Sequence, residues 1–424
     1  MSAKPPTPFP TAAVSPRCAD DDVIGGRGED GSRLISHVQE WAYANLVPLN
    51  ASIETTLDCN IRCLHCYNLD RDAPAKSATA GCHTATSQAP PLSTDEILAL
   101  MTDLRQAGCL FLSLTGGEVL LHPDLFVFLD HARALNLAVQ LLSNGTLLRP
   151  GITSRLAQYP NLLGVSLSLY GATPEVHDGV TQVKGSWRRT WMGAERLRKV
   201  GVAVRLKFIV MRSNAHEVAA MRASADERGF AYMIDLNITA RHDGTTGSLA
   251  TRISEAQLEE LYRGPLNDLV PRRTGAIAEE DFPCNCARGN CAISATGDVY
   301  PCVSVPLAAG NVRAQSFQQI WQSSAVFQRI RGLKMADYPS CGPCSHKTHC
   351  TRDRGAAFTA SGSYTGIDPF ICAGAKIAHS IADEETAHGI PASRTLPVTS
   401  PGTSTSESTE PAENLVRLRL PQAG

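Results

Sequence analysis

Three closely spaced cysteines near the start of the chain constrain its fold and chemistry more than any other feature. Cys59, Cys63 and Cys66 lie within residues 58–67 at Cys-x3-Cys-x2-Cys spacing. Three thiolates so close in sequence can surround one small metal centre, but they supply no local fourth cysteine. A cubane iron–sulfur cluster takes one thiolate per iron and normally has four. The spacing therefore predicts a cluster with one iron open to a substrate or cofactor.

Two other chemistries fit the same spacing. A tetrahedral zinc site needs a fourth ligand, and His65 is available for it. A disulfide needs an oxidising compartment. Of the fourteen cysteines in the chain, ten lie in residues 59–66 and 284–350, and this clustering favours metal or redox work over disulfides.

The amino-acid composition limits which cellular compartment and which partners are expected. The net charge is −2, which does not indicate a nucleic-acid or membrane surface. No apolar run is long enough to span a bilayer. Residues 1–17 are rich in proline and lack the apolar core of a secretory signal. A cytoplasmic location is therefore expected.

The length of 424 residues suggests two or three domains. Residues 1–45 are expected to be mostly disordered, with a short helix at 35–46, and Cys18 is expected to be a bystander. Residues 70–92 are expected to be a flexible insertion, in which Cys82 and His83 are solvent-exposed. Residues 379–424, rich in Thr, Ser, Pro and Glu, are expected to be a disordered tail.

Residues 46–250 alternate between strand and helix patterns. Strands are predicted at 50–56, 111–115, 138–142, 163–169, 202–211 and 232–238, and helices at 93–107, 123–135, 152–158, 187–199 and 216–228. The helix at 93–107 begins with the capping box Ser93-x-x-Glu96. Six strand–helix steps predict an α/β fold with a parallel sheet, closing into a partial (β/α)6 TIM-like barrel. In such barrels the chemistry lies at the carboxyl ends of the strands.

Polar motifs follow three of these strands directly. Gly116-Gly117-Glu118 follows the second strand, Ser143-Asn144 the third, and Ser168 ends the fourth. Glycines let the backbone approach a ligand closely, and a carboxylate can accept hydrogen bonds from an ammonium group. An ordinary Asn-Gly turn explains Asn144 equally well.

The cysteine triad and the strand-end motifs resemble the radical S-adenosylmethionine (SAM) family. The resemblance implies that the open iron of the cluster binds the amino and carboxylate groups of SAM, which an electron then cleaves to a 5′-deoxyadenosyl radical. It implies that Tyr67 lies beside the adenine. It also implies contacts to the rest of SAM from Gly116, Gly117, Glu118, Ser143, Asn144 and Ser168.

A second cysteine block follows a bridge, residues 251–282, that contains one predicted helix at 254–263. Residues 283–378 resemble the SPASM domain, which carries auxiliary iron–sulfur clusters in radical SAM enzymes. A Gly-x4-Cys element ends at Cys302, and a Cys-x2-Cys-x5-Cys element begins at Cys341. A turn at Gly297-Asp298 is predicted to form a hairpin that brings Cys291 and Cys302 together. A structural zinc is the alternative, because zinc ribbons also use Cys-x2-Cys pairs.

The number of ligands implies one or two auxiliary clusters. Four thiols complete one shell: Cys341, Cys344, Cys350 and Cys372. Three more are assigned to a second cluster: Cys286, Cys291 and Cys302, with Cys284 as a further candidate. The family often has another cysteine a few residues after the position of Cys350, but residues 351–354 contain none. The fourth ligand is left open between Cys284, Asp353, an open iron and a substrate thiolate.

The resemblance implies a peptide-modifying enzyme that forms a thioether or another cross-link. A haem or quinone biosynthesis step and a non-catalytic redox protein are the alternatives, whereas Val303 after Cys302 counts against sulfatase maturation. No catalytic side chain is predicted. The expected partners are a peptide, an external electron donor of flavodoxin or ferredoxin type, and a separate leader-binding protein, because residues 1–45 are too short for a leader-binding module. Neither nucleic acid nor membrane is expected as a partner.

Overall fold

A nine-stranded sheet organises the structure, a computed structural model that describes residues 29–68, 90–242, 244–271 and 276–388, with side chains from residue 35. Its strand order is β6-β5-β4-β3-β2-β1-β7-β8-β9. The strands are β1 Asn50–Glu54, β2 Phe111–Thr115, β3 Ala138–Ser143, β4 Leu162–Leu169, β5 Val204–Ile209, β6 Ala231–Asp235, β7 Asn290–Ile293, β8 Asp298–Tyr300 and β9 Gly310–Asn311.

Helices follow most of the parallel strands. They are α1 Glu29–Ala44, α2 Thr94–Gln106, α3 Leu125–Ala134, α4 Pro150–Leu156, α5 Pro174–Thr181, α6 Ser186–Lys199, α7 Val218–Glu227, α8 Glu255–Arg263, α9 Phe317–Ser323, α10 Ala325–Gly332, α11 Arg354–Ser361 and α12 Pro369–Ala387. Short 3₁₀ turns lie at Val119–Leu121, Ala215–Glu217, Gly247–Thr251, Asn267–Leu269, Met335–Asp337 and Lys347–His349. The capping box predicted at Ser93 and Glu96 forms at the start of α2.

Strands β1 to β6 are parallel, and each pairs with the next in chain order. This confirms the predicted α/β fold with an open, partial barrel. Side chains alternate between the two faces of the sheet. One face carries the apolar core, with Ile53, Leu114 and Leu141 fully buried. The opposite face is richer in polar residues, such as Ser52 and Glu54, and forms the barrel interior.

The cysteine-rich part of the chain continues the same sheet. Strand β7 pairs in parallel with β1, with Asn290 opposite Asn50 and Ile293 opposite Ile53. The Asn50 side chain also donates a 3.0 Å hydrogen bond to Asn290. Strands β7 and β8 then form the predicted hairpin, whose turn places Gly297 at a φ of +91°. The two cysteine blocks are therefore joined by strand pairing at β1.

The sequence-based account of the fold needs several corrections. The helix expected at 35–46 spans Glu29–Ala44, so residues 29–33 are helical and not disordered, and helices α9 to α12 were not predicted. Helix α5 was not predicted, because it is short and contains Gly179 and β-branched residues that weaken a helical pattern. The predicted disorder after residue 378 is wrong for residues 379–387, since α12 continues to Ala387. The expectations for Cys18, Cys82, His83 and residues 70–89 lie outside the described residues. None of the helices in the described ranges is long and apolar enough to cross a membrane.

Candidate functional site

The first cysteine loop leaves the carboxyl end of β1 and rests on the Gly-Gly-Glu motif. The Gly117 N–H donates to the Thr56 carbonyl and the Glu118 N–H to the Asp58 carbonyl, each at 2.7 Å. A Cβ added at Gly117 would lie 2.2 Å from the Asp58 oxygen, and one at Gly116 would lie 2.3 Å from the Thr56 oxygen. Glycine is required at both positions because the backbone of the loop packs directly on them.

The same loop is held on its other side by the unpredicted helix α5. The Arg62 N–H donates to the Thr181 carbonyl at 2.9 Å, and the Leu64 N–H donates to the Val180 carbonyl at 3.1 Å. The main-chain acceptors come from the last turn of the helix, where carbonyls lack intrahelical partners. The cysteine loop is thus clamped between the end of β2 and the end of α5.

Glu118 ties the ends of β2 and β3 together. Its carboxylate accepts hydrogen bonds from the Ser143 hydroxyl at 2.7 Å, the Asn144 N–H at 2.7 Å and the Leu120 N–H at 3.1 Å. Burial raises the pKa of Glu118, and these three donors oppose that shift. Both oxygens accept hydrogen bonds from the protein, so the side chain holds the ends of β2 and β3 together.

Asn144 connects the end of β3 to the cysteine loop. Its amide nitrogen donates to the Asn60 side chain at 2.9 Å and lies 3.9 Å from the Cys59 sulfur. Its amide oxygen accepts the Thr146 N–H at 2.9 Å, which is the hydrogen bond of an ordinary Asx turn. The turn considered for Asn144 is therefore present, and the same side chain also contacts the cysteine loop, while Ser143 supports it through Glu118.

The far side of the loop packs on the end of β4. The His65 ring meets Tyr170 edge-on at 4.7 Å between ring centroids. The Tyr170 hydroxyl interacts with the Ser168 hydroxyl and the Cys63 thiol. Burial, and then the charge of Lys207, lower the pKa of His65 to about 4, so its imidazole is neutral at physiological pH.

Tyr67 faces a different part of the site. Its hydroxyl donates to Glu54 at 3.3 Å, and its ring packs against His242 at 5.0 Å. Burial raises the pKa of Glu54 to about 7, against hydrogen bonds from Ala295 and Tyr67. Sequence reasoning missed Glu54; the only signal was an acidic residue on a strand otherwise expected to be buried.

A small cavity, with room for about one water molecule, lies beside Glu54 where the barrel meets the cysteine-rich region. It is lined by residues of β1, β2 and the β7–β8 hairpin together with His242 and Val303: Ser52, Glu54, Thr115, His242, Ala292, Ile293, Ser294, Tyr300 and Val303. His242 bridges its two sides. The His242 N–H donates to the Tyr67 carbonyl at 2.9 Å, and its ring Nε2 lies 3.0 Å from the Val303 carbonyl. The cavity therefore lies between the chain neighbours of Cys66 and Cys302.

A first group of auxiliary thiols forms around Cys286. Hydrogen bonds with the thiols of Cys284 and Cys302, followed by burial, raise the pKa of Cys286. Cys284 and Cys302 are themselves buried. The Cys284 sulfur also lies 3.1 Å from the Tyr364 hydroxyl. The structure thus brings Cys284, Cys286 and Cys302 together.

Cys291 does not join this group, and the expectation that the hairpin brings it to Cys302 is wrong. Ala292 lies opposite Tyr300 in the hairpin, so residue 301, and not Cys302, is the position opposite Cys291. Such a one-residue offset turns side chains to opposite faces. The Cys291 thiol is buried near Cys109, and its pKa is raised by burial and then by the charge of Cys109.

The second auxiliary group contains the four thiols that the sequence assigned to one shell. Cys341, Cys344 and Cys350 lie on the loop after α10, and Cys372 lies in the first turns of α12. Burial raises the pKa of Cys350 to about 12, with smaller contributions from the charges of Cys341, Cys372 and Cys344. The four sulfur atoms are therefore close enough to influence one another electrostatically.

Cys59, Cys63 and Cys66 share one loop and the auxiliary thiols form two further groups, and sulfur is the donor chemistry of iron–sulfur clusters. Among the described residues, no three Cys, His, Asp or Glu side chains are arranged to hold a single metal ion. Residues 53–221 match the model of the Radical SAM superfamily, and residues 284–351 match that of the SPASM iron-sulfur cluster-binding domain. The chain belongs to the radical SAM superfamily. It is therefore an enzyme that binds a [4Fe–4S] cluster and SAM in the barrel and auxiliary iron–sulfur in its SPASM domain. A non-catalytic redox protein is excluded by this membership.

Known proteins of two kinds are similar to this chain. The AdoMet-dependent heme synthase of Methanosarcina barkeri is 28% identical over 343 residues, covering 75% of this chain and 94% of that protein. Mycofactocin maturase MftC of Mycobacterium tuberculosis is 27% identical over 337 residues, covering 76% and 80%. The crystal structure of Streptococcus suis SuiB bound to precursor peptide SuiA has the same fold, with a TM-score of 0.57, 15% identity and 81% of each chain covered.

Proposed function

We propose that this radical SAM enzyme modifies a peptide, and that the substrate approaches the region around Glu54 and His242, where the barrel meets the cysteine-rich region. The observation that carries this proposal is the bridge that His242 makes between the carbonyl of Tyr67, next to Cys66, and the carbonyl of Val303, next to Cys302. A substrate bound there lies between the SAM site and the first auxiliary thiols. The names of MftC, a maturase, and of SuiB, bound to a precursor peptide, support a peptide as the substrate class.

The residues around the first loop have separate roles in this proposal. Cys59, Cys63 and Cys66 hold the cluster, which supplies the electron for SAM cleavage when it is bound. The main chain of Gly116 and Gly117, together with Ser168, contacts SAM, whereas Glu118, Ser143 and Asn144 hold the strand ends and the loop in place. Tyr67 lies beside the adenine of SAM and also contacts Glu54 and His242.

The auxiliary ligands follow the observed grouping of thiols. Cys284, Cys286 and Cys302 hold the first auxiliary cluster and leave its fourth position open, as the lack of a cysteine at 353 or 354 suggests. Cys341, Cys344, Cys350 and Cys372 complete the second. An open position favours a thiol-bearing substrate, because sulfur is the preferred ligand of iron in such clusters. A flavodoxin or ferredoxin delivers the electron, and a separate protein binds the leader.

Glu54 gives the cavity a defined chemical role. Its pKa of about 7 lets it accept a proton from a bound substrate near neutral pH, and the Tyr67 hydroxyl orients the accepting oxygen at 3.3 Å. Thr115 and Tyr300 line the same cavity and help to exclude water. These residues therefore bind, orient and deprotonate the substrate.

A tetrapyrrole is the second candidate substrate, because the heme synthase of M. barkeri matches over 94% of its own length. The test is anaerobic incubation of the reconstituted enzyme with SAM and either a candidate precursor peptide or an iron tetrapyrrole precursor. We expect deoxyadenosine formation to rise several-fold with the peptide, and the peptide mass to change. Stimulation by the tetrapyrrole alone, with an unchanged peptide, would contradict the proposal. A Cys59→Ala, Cys63→Ala, Cys66→Ala variant is the control for SAM cleavage.

A further inference from the structure

Two arginines directly after Cys350 are buried in the cysteine-rich region. Arg352 is 2% exposed and Arg354 is 5% exposed. Arginine is almost never fully buried unless its charge is paired, because removing an ion from water costs several kcal/mol. A buried charge here needs a partner.

Arg354 is aimed at the auxiliary cysteines. Its Nη2 lies 3.9 Å from the Cys341 sulfur, while Nε and Nη1 donate to the main-chain carbonyls of Arg352 at 3.2 Å and Gly366 at 3.3 Å. Its guanidinium carbon lies 5.0 Å from the centre of the Tyr338 ring. In the described ranges, no carboxylate lies within ion-pair distance of Arg354. Carbonyls and one sulfur therefore surround a cation that lacks a counter-charge among the described carboxylates.

Arg352, two residues before Arg354, is a second buried arginine whose charge lacks a described ion-pair partner. Its Nη1 lies 3.9 Å from the Met335 sulfur, and its Nε and Nη2 are buried without a hydrogen-bond partner among the described residues. A buried charged donor without a hydrogen-bond partner destabilises the folded state by its full desolvation penalty. Two such donors on one side chain indicate that an anionic group belongs beside them.

The negative charge is available from the cysteines. Burial disfavours the charged form of Arg354. The nearby groups of Cys341, Tyr338 and Cys284 oppose this effect and raise its pKa. Cys341 belongs to the second auxiliary group and Cys284 to the first. Arg354 therefore lies within electrostatic reach of both groups, and thiolates that hold iron–sulfur clusters would supply the charge that it lacks.

We propose that Arg352 and Arg354 form a buried cationic pair that compensates the negative charge of the auxiliary clusters, and that Arg354 raises their reduction potentials. A nearby positive charge, or a hydrogen bond to a ligand sulfur, favours the reduced cluster, which carries one more electron. Arg354 thus acts as a counter-charge beside the thiol of Cys341. Arg354 is a positioning and tuning residue, and this role does not depend on the identity of the substrate.

The test is a redox titration of the auxiliary clusters in the full chain, reconstituted anaerobically and followed by electron paramagnetic resonance. The Cys59→Ala, Cys63→Ala, Cys66→Ala background removes the signal of the first cluster. Arg354→Gln removes the charge and keeps hydrogen-bonding capacity, whereas Arg354→Lys keeps the charge. Arg263→Met is the matched control, because Arg263 forms its ion pair with Glu384 on the surface.

We expect Arg354→Gln to lower the ratio of reduced to oxidised auxiliary cluster about tenfold at a fixed potential, which is a shift of about 59 mV for one electron. Arg354→Lys should stay within about twofold of the parent, and Arg263→Met should match it. If Arg354→Gln loses auxiliary iron while Arg354→Lys keeps it, charge compensation is supported by the iron content. Equal potentials in the Gln and Lys variants, or loss of iron from both, would overturn the proposal.

Discussion

The first cysteine loop and the auxiliary cysteine groups are built on different electrostatic principles. The first loop is held by main-chain hydrogen bonds from Gly117, Glu118 and helix α5, and the polar side chain near Cys59 is the neutral amide of Asn144. Cys284 and Cys302 of the first auxiliary group are buried, whereas the thiols of the second group are half-buried like those of the first loop. The segment after Cys350 adds the buried guanidinium groups of Arg352 and Arg354.

This difference indicates how each site balances the negative charge of its cluster. SAM carries an ammonium and a sulfonium group, so the cosubstrate brings positive charge to the open first site. The auxiliary sites receive no such ligand from SAM. The protein must supply the counter-charge there itself, and buried arginine does so at the cost of desolvation.

A side chain added at Gly117 should have the largest effect, because it should disrupt the first cysteine loop and leave the auxiliary groups intact. A Cβ there would lie 2.2 Å from the Asp58 carbonyl, so Gly117→Ala must displace the cysteine loop. We expect the first cluster to be lost or misplaced and SAM cleavage to fall by at least about a hundredfold, since displacements near 1 Å have such effects. Iron content measures the loss of the cluster, and deoxyadenosine formation measures SAM cleavage.

Gly151→Ala is the control for this change, because no atom lies within 4 Å of a Cβ added in that position of α4. Auxiliary iron should remain in both variants. Normal SAM cleavage in Gly117→Ala would show that the loop does not depend on the glycine pair, and the proposed anchoring would be wrong.

Local signals predicted most of the barrel. The capping box at Ser93 and the β-rich run of β2 are encoded within a few residues, so the predicted and observed bounds agree closely. The strand-end positions of Gly116, Ser143 and Ser168 followed from the parallel topology, in which all carboxyl ends meet at one edge.

Long-range register and burial were not predictable in the same way. The choice between Cys284 and Cys291 depends on the hairpin register, in which a shift by one residue reverses the face of a side chain. Arg352 and Arg354 look like ordinary surface residues in the sequence, because nothing local shows that their segment is covered. The polar role of Glu54 became visible only when β7 was found beside β1.

A smaller effect is expected at Glu54, which lies where the barrel meets the cysteine-rich region. Burial raises the pKa of Glu54 from 4.5 to about 7, so the folded state binds its proton more tightly than the unfolded state. Glu54 therefore contributes stability that is full below about pH 4.5 and is lost as the pH rises through 7, by about 3 kcal/mol. Glu54→Gln should abolish this dependence.

The measurement is the difference in melting temperature between the parent and Glu54→Gln from pH 5 to pH 8. The parent should lose stability relative to the variant as the pH rises. Tyr67→Phe, which removes the hydrogen bond to Glu54, should steepen the loss. A difference that does not vary with pH would show that Glu54 is ionised throughout, and its assignment as a proton acceptor near neutral pH would fail.

The iron content of two matched cysteine variants tests the central claim most directly. If Cys59, Cys63 and Cys66 hold one cluster, and the two auxiliary groups hold one each, the parent should bind about twelve irons. Cys284→Ala should bind about eight, because Cys284 lies in the first auxiliary group. Cys291→Ala should keep about twelve, because its thiol lies beside Cys109. Loss of four irons from Cys291→Ala, with none lost from Cys284→Ala, would contradict the account.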